Sequence, residues 1–211
     1  MHLFPCKSMT LSFVLIFLTC GLYGVIHSIL AALNIKNRAQ EWNVLWYRRW
    51  YRLFYNIFAT LTLLPVFWLM RRLPDQVFYL IPAPWIYLTL GIQLAGLVIM
   101  LTSIRQTGMG TFIGLSEVFS GGDAHPSQLT TTGLYRFVRH PIYTGGLLFL
   151  WFSPIMTSNY LAFAIAMTIY IFVGSHFEEK RLLVEFGDAY TKYREKTPLL
   201  FPKIQNFFSK S

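Results

Sequence analysis

The chain has 211 residues, room for one domain of ordinary size. Apolar residues make up 55% of it and charged residues 13%, against roughly 45–50% and about 25% in a soluble domain. A disordered chain is excluded, and a soluble globular enzyme is disfavoured because so few charges cannot cover its surface. The formal net charge of +9 comes with long apolar runs, which points to basic loops beside a bilayer and not to a nucleic-acid partner.

Lys7 precedes the first apolar run, residues 11–33. No small-residue cleavage site follows it, and the run is longer than a signal peptide's apolar region, so it reads as a retained span. Further runs cover 53–70, 85–104, 142–157 and 160–174. In lipid the backbone must satisfy its own hydrogen bonds, so runs this apolar are helices. The expected fold is therefore all-α, a single polytopic membrane domain over 1–211 with about five transmembrane helices. Residues 1–104 form a three-helix part, 105–140 a connection, and 141–211 a helical hairpin with a carboxy-terminal helix covering a site. Only Ser158 and Asn159 separate the fourth run from the fifth, which predicts a tight antiparallel hairpin. With the N-terminus outside and the C-terminus inside, only Lys7, Arg71 and Arg72 of the 18 Lys and Arg residues lie outside, as the positive-inside rule requires. Cys6 and Cys20 make no disulfide framework, no Cys/His spacing suits zinc, and no metal is expected. The connection holds Gly108, Gly110, Gly114, Gly121, Gly122 and Pro126. Its length and its apolar residues suggest packing on the membrane surface or over a site.

Polar residues gather at two places. In 132–146, Pro141 suits the first turn of a helix, which puts His140 at its N-cap. The unpaired N–H groups of that turn, beside Arg136 and Arg139, offer a seat for a carboxylate or phosphate; a plain juxtamembrane basic cluster is the other reading. In 176–193, helical spacing places Glu179, Leu183, Phe186, Tyr190 and Tyr193 near one face. Glu178 and Glu179 emerge where the helix leaves the apolar zone, as site carboxylates or as a paired rim. The hairpin brings Arg139, His140 and Tyr143 beside Glu178 and Glu179. Cations, carboxylates and rings together suit a zwitterionic ligand with its own positive centre. His27, Arg52, Tyr55 and Asn56 are candidates for substrate contact or for helix–helix hydrogen bonds.

The pattern Gly133-Leu134-Tyr135-Arg136-x-x-Arg139-His140-Pro141-x-Tyr143-x-Gly145, with Glu178-Glu179-x-x-Leu182, Phe186-Gly187-x-x-Tyr190-x-x-Tyr193 and Pro198-x-x-x-Pro202, resembles the isoprenylcysteine carboxyl methyltransferase family of integral membrane methyltransferases. The stretch 151–157 resembles its bacterial methanethiol S-methyltransferase branch. The amino-terminal half is similar to that branch and to NnrU-like proteins, and departs from the eukaryotic prenylcysteine enzymes.

The resemblance implies S-adenosylmethionine as cofactor. It implies a cofactor site of Tyr135, Arg136, Arg139, His140, Tyr143, Glu178, Glu179, Tyr190 and Tyr193, with His140 or Glu179 as candidate catalytic groups. The methyl acceptor is a small thiol or a carboxylate-bearing or lipophilic molecule, and no protein partner is implied. The expected membrane is a bacterial inner membrane, or the endoplasmic reticulum in a eukaryote, with the site expected to face the cytoplasm. Two other readings stay open: a non-catalytic NnrU-like accessory protein, and an NADPH-dependent enzyme resembling sterol reductases. No glycine-rich turn joins a strand to a helix, which excludes a soluble Rossmann-type methyltransferase.

Overall fold

The computed structural model describes residues 6–31, 33–120 and 128–202. Gly121, Gly122 and Pro126 of the connection, and Lys203 and Lys210, lie outside the described residues. In chain order the elements are α1 (Cys6–Ala31), α2 (Leu33–Trp42), α3 (Val44–Arg72), β1 (Val77–Leu80), α4 (Trp85–Thr107), α5 (Met109–Ile113), α6 (Leu115–Phe119), a 3-10 turn (Gly133–Arg136), α7 (Pro141–Trp151), β2 (Ile155–Thr157) and α8 (Ser158–Lys196).

Among the described residues, four helices are long and apolar enough to cross a membrane: Ser8–Ala31 within α1, then α3, α4 and α8. Large apolar side chains point outward along them, with Leu18 60% and Leu94 62% exposed. Helices that are apolar on their outward faces belong in a bilayer, and the chain is an all-α integral membrane protein.

The fourth predicted run is shorter than expected. α7 has 11 residues, ~16 Å at 1.5 Å per residue, about half of a ~30 Å hydrocarbon core. Pro154 has no N–H to donate and disfavours helix at Ser153, so the helix stops before it. The chain then extends into β2, which pairs antiparallel with β1. The two-residue hairpin turn expected at Ser158 and Asn159 is thus replaced by residues 152–157, and α8 begins at Ser158.

The described chain divides into two compact units. The first takes in α1, α2, α3, α5, α6, both strands and the opening turns of α8. Asn43 caps α3 by accepting from the Trp46 N–H at 2.9 Å. Tyr51 Oη donates to the Leu30 carbonyl at 2.5 Å, tying α3 to α1. Asp75 caps α8 from a distant segment, accepting from Ser158 Oγ at 2.7 Å and the Asn159 N–H at 2.9 Å. Asn159 Nδ2 in turn donates to the last carbonyls of α3, at Met70 and Leu73.

The second unit takes in α4, the 3-10 turn, α7 and α8 from Ile171 onward. α4 and α7 meet at Gly96 and Gly145, where a Cβ on either residue would fall within 2.7 Å of the other's carbonyl oxygen. Small residues allow such backbone contact between membrane helices. Gln93 Nε2 adds a bond to the Phe149 carbonyl at 2.8 Å. α7 runs antiparallel to α8: Leu147 packs with Ile171 and Leu200, and Tyr143 reaches Glu178.

Candidate active site

The site is built at the start of α7. Pro141 takes the first helical position and His140 the N-cap, as the sequence predicts. The segment entering α7 is fixed from the other end of the unit: the Arg139 N–H donates to the Pro198 carbonyl at 2.9 Å and the His140 N–H to the Leu199 carbonyl at 3.1 Å. Thr144 Oγ1 adds a bond to the Leu200 carbonyl at 2.6 Å.

Around this anchor the predicted residues converge. Glu179 is the hub. Its Oε1 accepts from Arg139 Nε at 2.9 Å, His140 Nε2 at 2.9 Å and Tyr190 Oη at 2.5 Å. Glu178 Oε2 accepts from Tyr143 Oη at 2.8 Å and lies 3.4 Å from His140 Nδ1. The His140 and Tyr143 rings stack with centroids 5.3 Å apart. Tyr193 Oη donates to the Tyr135 carbonyl at 2.6 Å.

Tyr190 reaches Glu179 because of one residue. Eleven residues of straight helix advance ~16 Å, too far for this bond. Gly187, at φ 53° and ψ −127°, breaks the helix and folds residues 188–196 back over Glu179. No other residue adopts that backbone conformation readily.

The two arginines of the motif have partners the sequence did not show. Arg136 lays its guanidinium on the Phe137 ring, 4.6 Å from the centroid, and is exposed. Arg139 is engaged by the protein itself: besides Glu179, its Nη1 donates to the carbonyls of Thr197 at 2.5 Å and Arg194 at 3.1 Å. The sequence showed the basic residue beside the helix start, but not the carbonyls that surround it. Pro198, Leu199 and Leu200 contribute main-chain oxygens, which leave no side-chain signature.

The four substrate candidates belong to the first unit. His27 bonds to Tyr55 Oη, 2.7 Å from its Nε2, and to Tyr170 Oη. Tyr170, on α8 and 143 residues away, has no local motif to announce it. Arg52 donates to the Thr111 carbonyl at 2.6 Å and pairs with Glu117 at 3.0 Å. Asn56 Nδ2 donates to the carbonyls of Phe112 and Ile113. These last two fasten α5 and α6 onto α3, so part of the long connection packs as a structured lid on that helix.

Burial by itself lowers the His140 pKa, but the hydrogen bonds and charges of Glu178 and then Glu179 outweigh it and hold the imidazole above its ordinary value. Both ring nitrogens face carboxylates, so the protonated form fits the site. The folded state then binds this proton more tightly than the unfolded chain. Its contribution to stability is complete below the unfolded pKa of ~6.5 and is lost as pH rises through the folded value. Melting of the parent should therefore weaken with rising pH through that window, while His140→Gln should show a flatter profile; identical profiles would exclude the charged form. Burial also pushes the Tyr135 phenol up to about 12, against a hydrogen bond with Thr107 and aided by the Glu178 charge, so it remains protonated at neutral pH.

A family profile described as phospholipid methyltransferase matches residues 85–189. Methanethiol S-methyltransferase 1 of Bradyrhizobium diazoefficiens is 36% identical over 189 residues, 88% of this chain and 65% of that protein. Methanethiol S-methyltransferase 2 of the same organism is 33% identical over 191 residues, 89% of this chain and 72% of that protein. The Protein-S-isoprenylcysteine O-methyltransferase of Schizosaccharomyces pombe is 33% identical over 79 residues, 36% of this chain and 34% of that protein. No solved structure matches the chain. The chain belongs to the family of membrane methyltransferases that contains the methanethiol S-methyltransferases, and it spans just under two thirds of the length of the first of these relatives.

Proposed function

We propose that the chain transfers a methyl group from S-adenosylmethionine to a small thiol. The observation that carries this reading is the cluster of Arg139, His140, Glu178, Glu179 and Tyr190, in which His140, Glu179 and Tyr190 are buried. Its donor set fits the cofactor. Glu179 is 6% exposed, yet its Oε2 has no hydrogen-bond partner among the described residues, and Arg194 Nε stands 3.7 Å from it. A buried carboxylate oxygen left without a donor calls for an N–H or a positive centre from a ligand.

Glu178 and Glu179 would hold the cationic groups, Arg139 and His140 the carboxylate, and the rings of Tyr143, Tyr190 and Tyr193 would line the same space. Because the cluster's cations and carboxylates already neutralise one another, a zwitterion can exchange partners with them at little net electrostatic cost. When bound, the cofactor supplies a methyl group on a positively charged sulfur. His140 holds a proton between two carboxylates and so acts as a positioning group. The protein's contribution is to orient the reactants and exclude water, which can supply several kcal/mol of the barrier, of order ~7.

The thiol acceptor rests on the relatives: two methanethiol enzymes match nearly the whole chain, whereas the isoprenylcysteine enzyme matches about a third of it. The charge asymmetry supports a site on the cytoplasmic side with the N-terminus outside, in a bacterial inner membrane. Labelling of a cysteine placed at the C-terminus by an impermeant reagent in intact cells would reverse that orientation. The functional test incubates the purified chain with methyl-labelled cofactor and methanethiol. Labelled dimethyl sulfide is expected. Cofactor binding with no transfer to methanethiol, to a prenylcysteine or to any molecule of a cell extract would overturn the enzymatic reading in favour of an accessory protein.

A further inference from the structure

A groove of about 520 Å³ lies in the first unit, along α3 and under α5. Leu53, Ile57, Leu61, Phe112 and Ile113 line it. Of its polar wall residues, Asn56 Nδ2 donates to two carbonyls of α5, Thr60 Oγ1 donates to the Asn56 carbonyl at 2.9 Å, and Tyr23 sets its ring against those of His27 and Tyr170. The groove therefore suits an apolar occupant. From Leu53 to Leu63 the helix advances by ten steps, ~15 Å, which matches the depth of one leaflet's hydrocarbon.

The end of the groove is basic. Arg49 stands one turn before Leu53 on the same face of α3. It donates through Nε to the Val118 carbonyl at 3.1 Å. Arg52 is neutralised by Glu117, whereas no carboxylate among the described residues is within ion-pair distance of Arg48 or Arg49, and both are exposed. Trp50, 42% exposed, lies against Arg49, and Trp42, 77% exposed, ends α2. Indoles of this kind anchor at headgroup depth.

We propose that this groove holds one anionic phospholipid, its acyl chain along α3 and its phosphate beside Arg49. The groove shares no residue with the methyltransferase cluster, and its occupancy does not depend on the chemistry proposed above. The test uses the full chain, stripped of copurifying lipid, and native mass spectrometry with added dipalmitoyl phosphatidylglycerol, dipalmitoyl phosphatidylcholine or inorganic phosphate. One phosphatidylglycerol should be retained about fivefold better than phosphatidylcholine, the preference a single juxtamembrane arginine gives. Inorganic phosphate should not displace it. Arg49→Gln should erase the preference, while Arg49→Lys and Arg72→Gln keep it, and Ile57→Trp should weaken retention of both lipids by filling the groove. Equal retention of the two lipids by the unaltered chain, displacement by inorganic phosphate, or an unchanged preference in Arg49→Gln overturns the proposal. S-adenosylmethionine affinity measured on the same samples separates this outcome from any failure of the methyltransferase reading.

Discussion

Glu179→Ala is expected to lower the stability of the chain by about 3–5 kcal/mol, the usual cost of removing one partner from a buried ion pair. It is also expected to weaken S-adenosylmethionine binding about 100-fold, equivalent to ~2.7 kcal/mol. Three donors converge on Glu179 Oε1, from Arg139, His140 and Tyr190. Without it, a guanidinium and an imidazolium face each other with reduced compensation, and a buried phenol loses its acceptor. His140 should release its proton first, because Glu178 alone offsets burial less well than the pair. Glu179→Gln separates shape from charge: its amide oxygen still accepts, so folding should be partly restored while affinity stays low. Calorimetry and thermal melting in detergent read the two effects independently. An alanine variant that melts like the parent and binds the cofactor equally well would remove Glu179 from the site altogether.

The sequence was most legible where physics is local. Long apolar runs gave α1, α3, α4 and α8, because a bilayer leaves helix as the only conformation for such segments. Pro141 marked the start of α7, whereas the single helical face read from Glu179 to Tyr193 runs across Gly187, where α8 in fact breaks. The charged residues around His140 could be grouped because two sequence-adjacent helices had to run antiparallel, which brought Tyr143 to Glu178. What failed was non-local. Val77 to Leu80 is four residues with every side chain exposed, so no alternation betrays its pairing with β2. The end of α7 was overrun because Phe152, Ile155 and Met156 are apolar enough to continue the run that Pro154 interrupts. The carbonyl oxygens of Arg194 and Thr197 around Arg139 could not be foreseen either, since main-chain oxygens carry no residue identity. Arg52 and Asn56 stood open between substrate contact and helix–helix hydrogen bonds; their partners on α5 and α6 were brought there by a connection whose course no periodicity specified.

Gly145→Ala is the second large expected effect, and it explains why the motif ends in glycine. The added Cβ would lie 2.5 Å from the Gly96 carbonyl oxygen, 2.8 Å from Met100 Cγ and 3.1 Å from the Met100 nitrogen. Two of these neighbours are backbone atoms of α4, which cannot swing aside as a side-chain tip can. Helix α7 must move instead, and its first turn carries His140 and Tyr143. Overpacking of this kind costs about 1–3 kcal/mol. The larger consequence is positional, because a displacement of ~1 Å in groups that orient reactants can cost ~100-fold in rate. The variant should therefore fold and insert, retain measurable cofactor affinity, and transfer methyl groups about 100-fold more slowly. Gly146→Ala is the control one residue away: its Cβ would meet only Ile171 Cδ1, at 4.0 Å, an ordinary contact. If both alanines slow transfer alike, the close crossing of α4 and α7 is not what positions the site; if only Gly145→Ala does, the glycine acts through the helix crossing and not through any loss of helix flexibility.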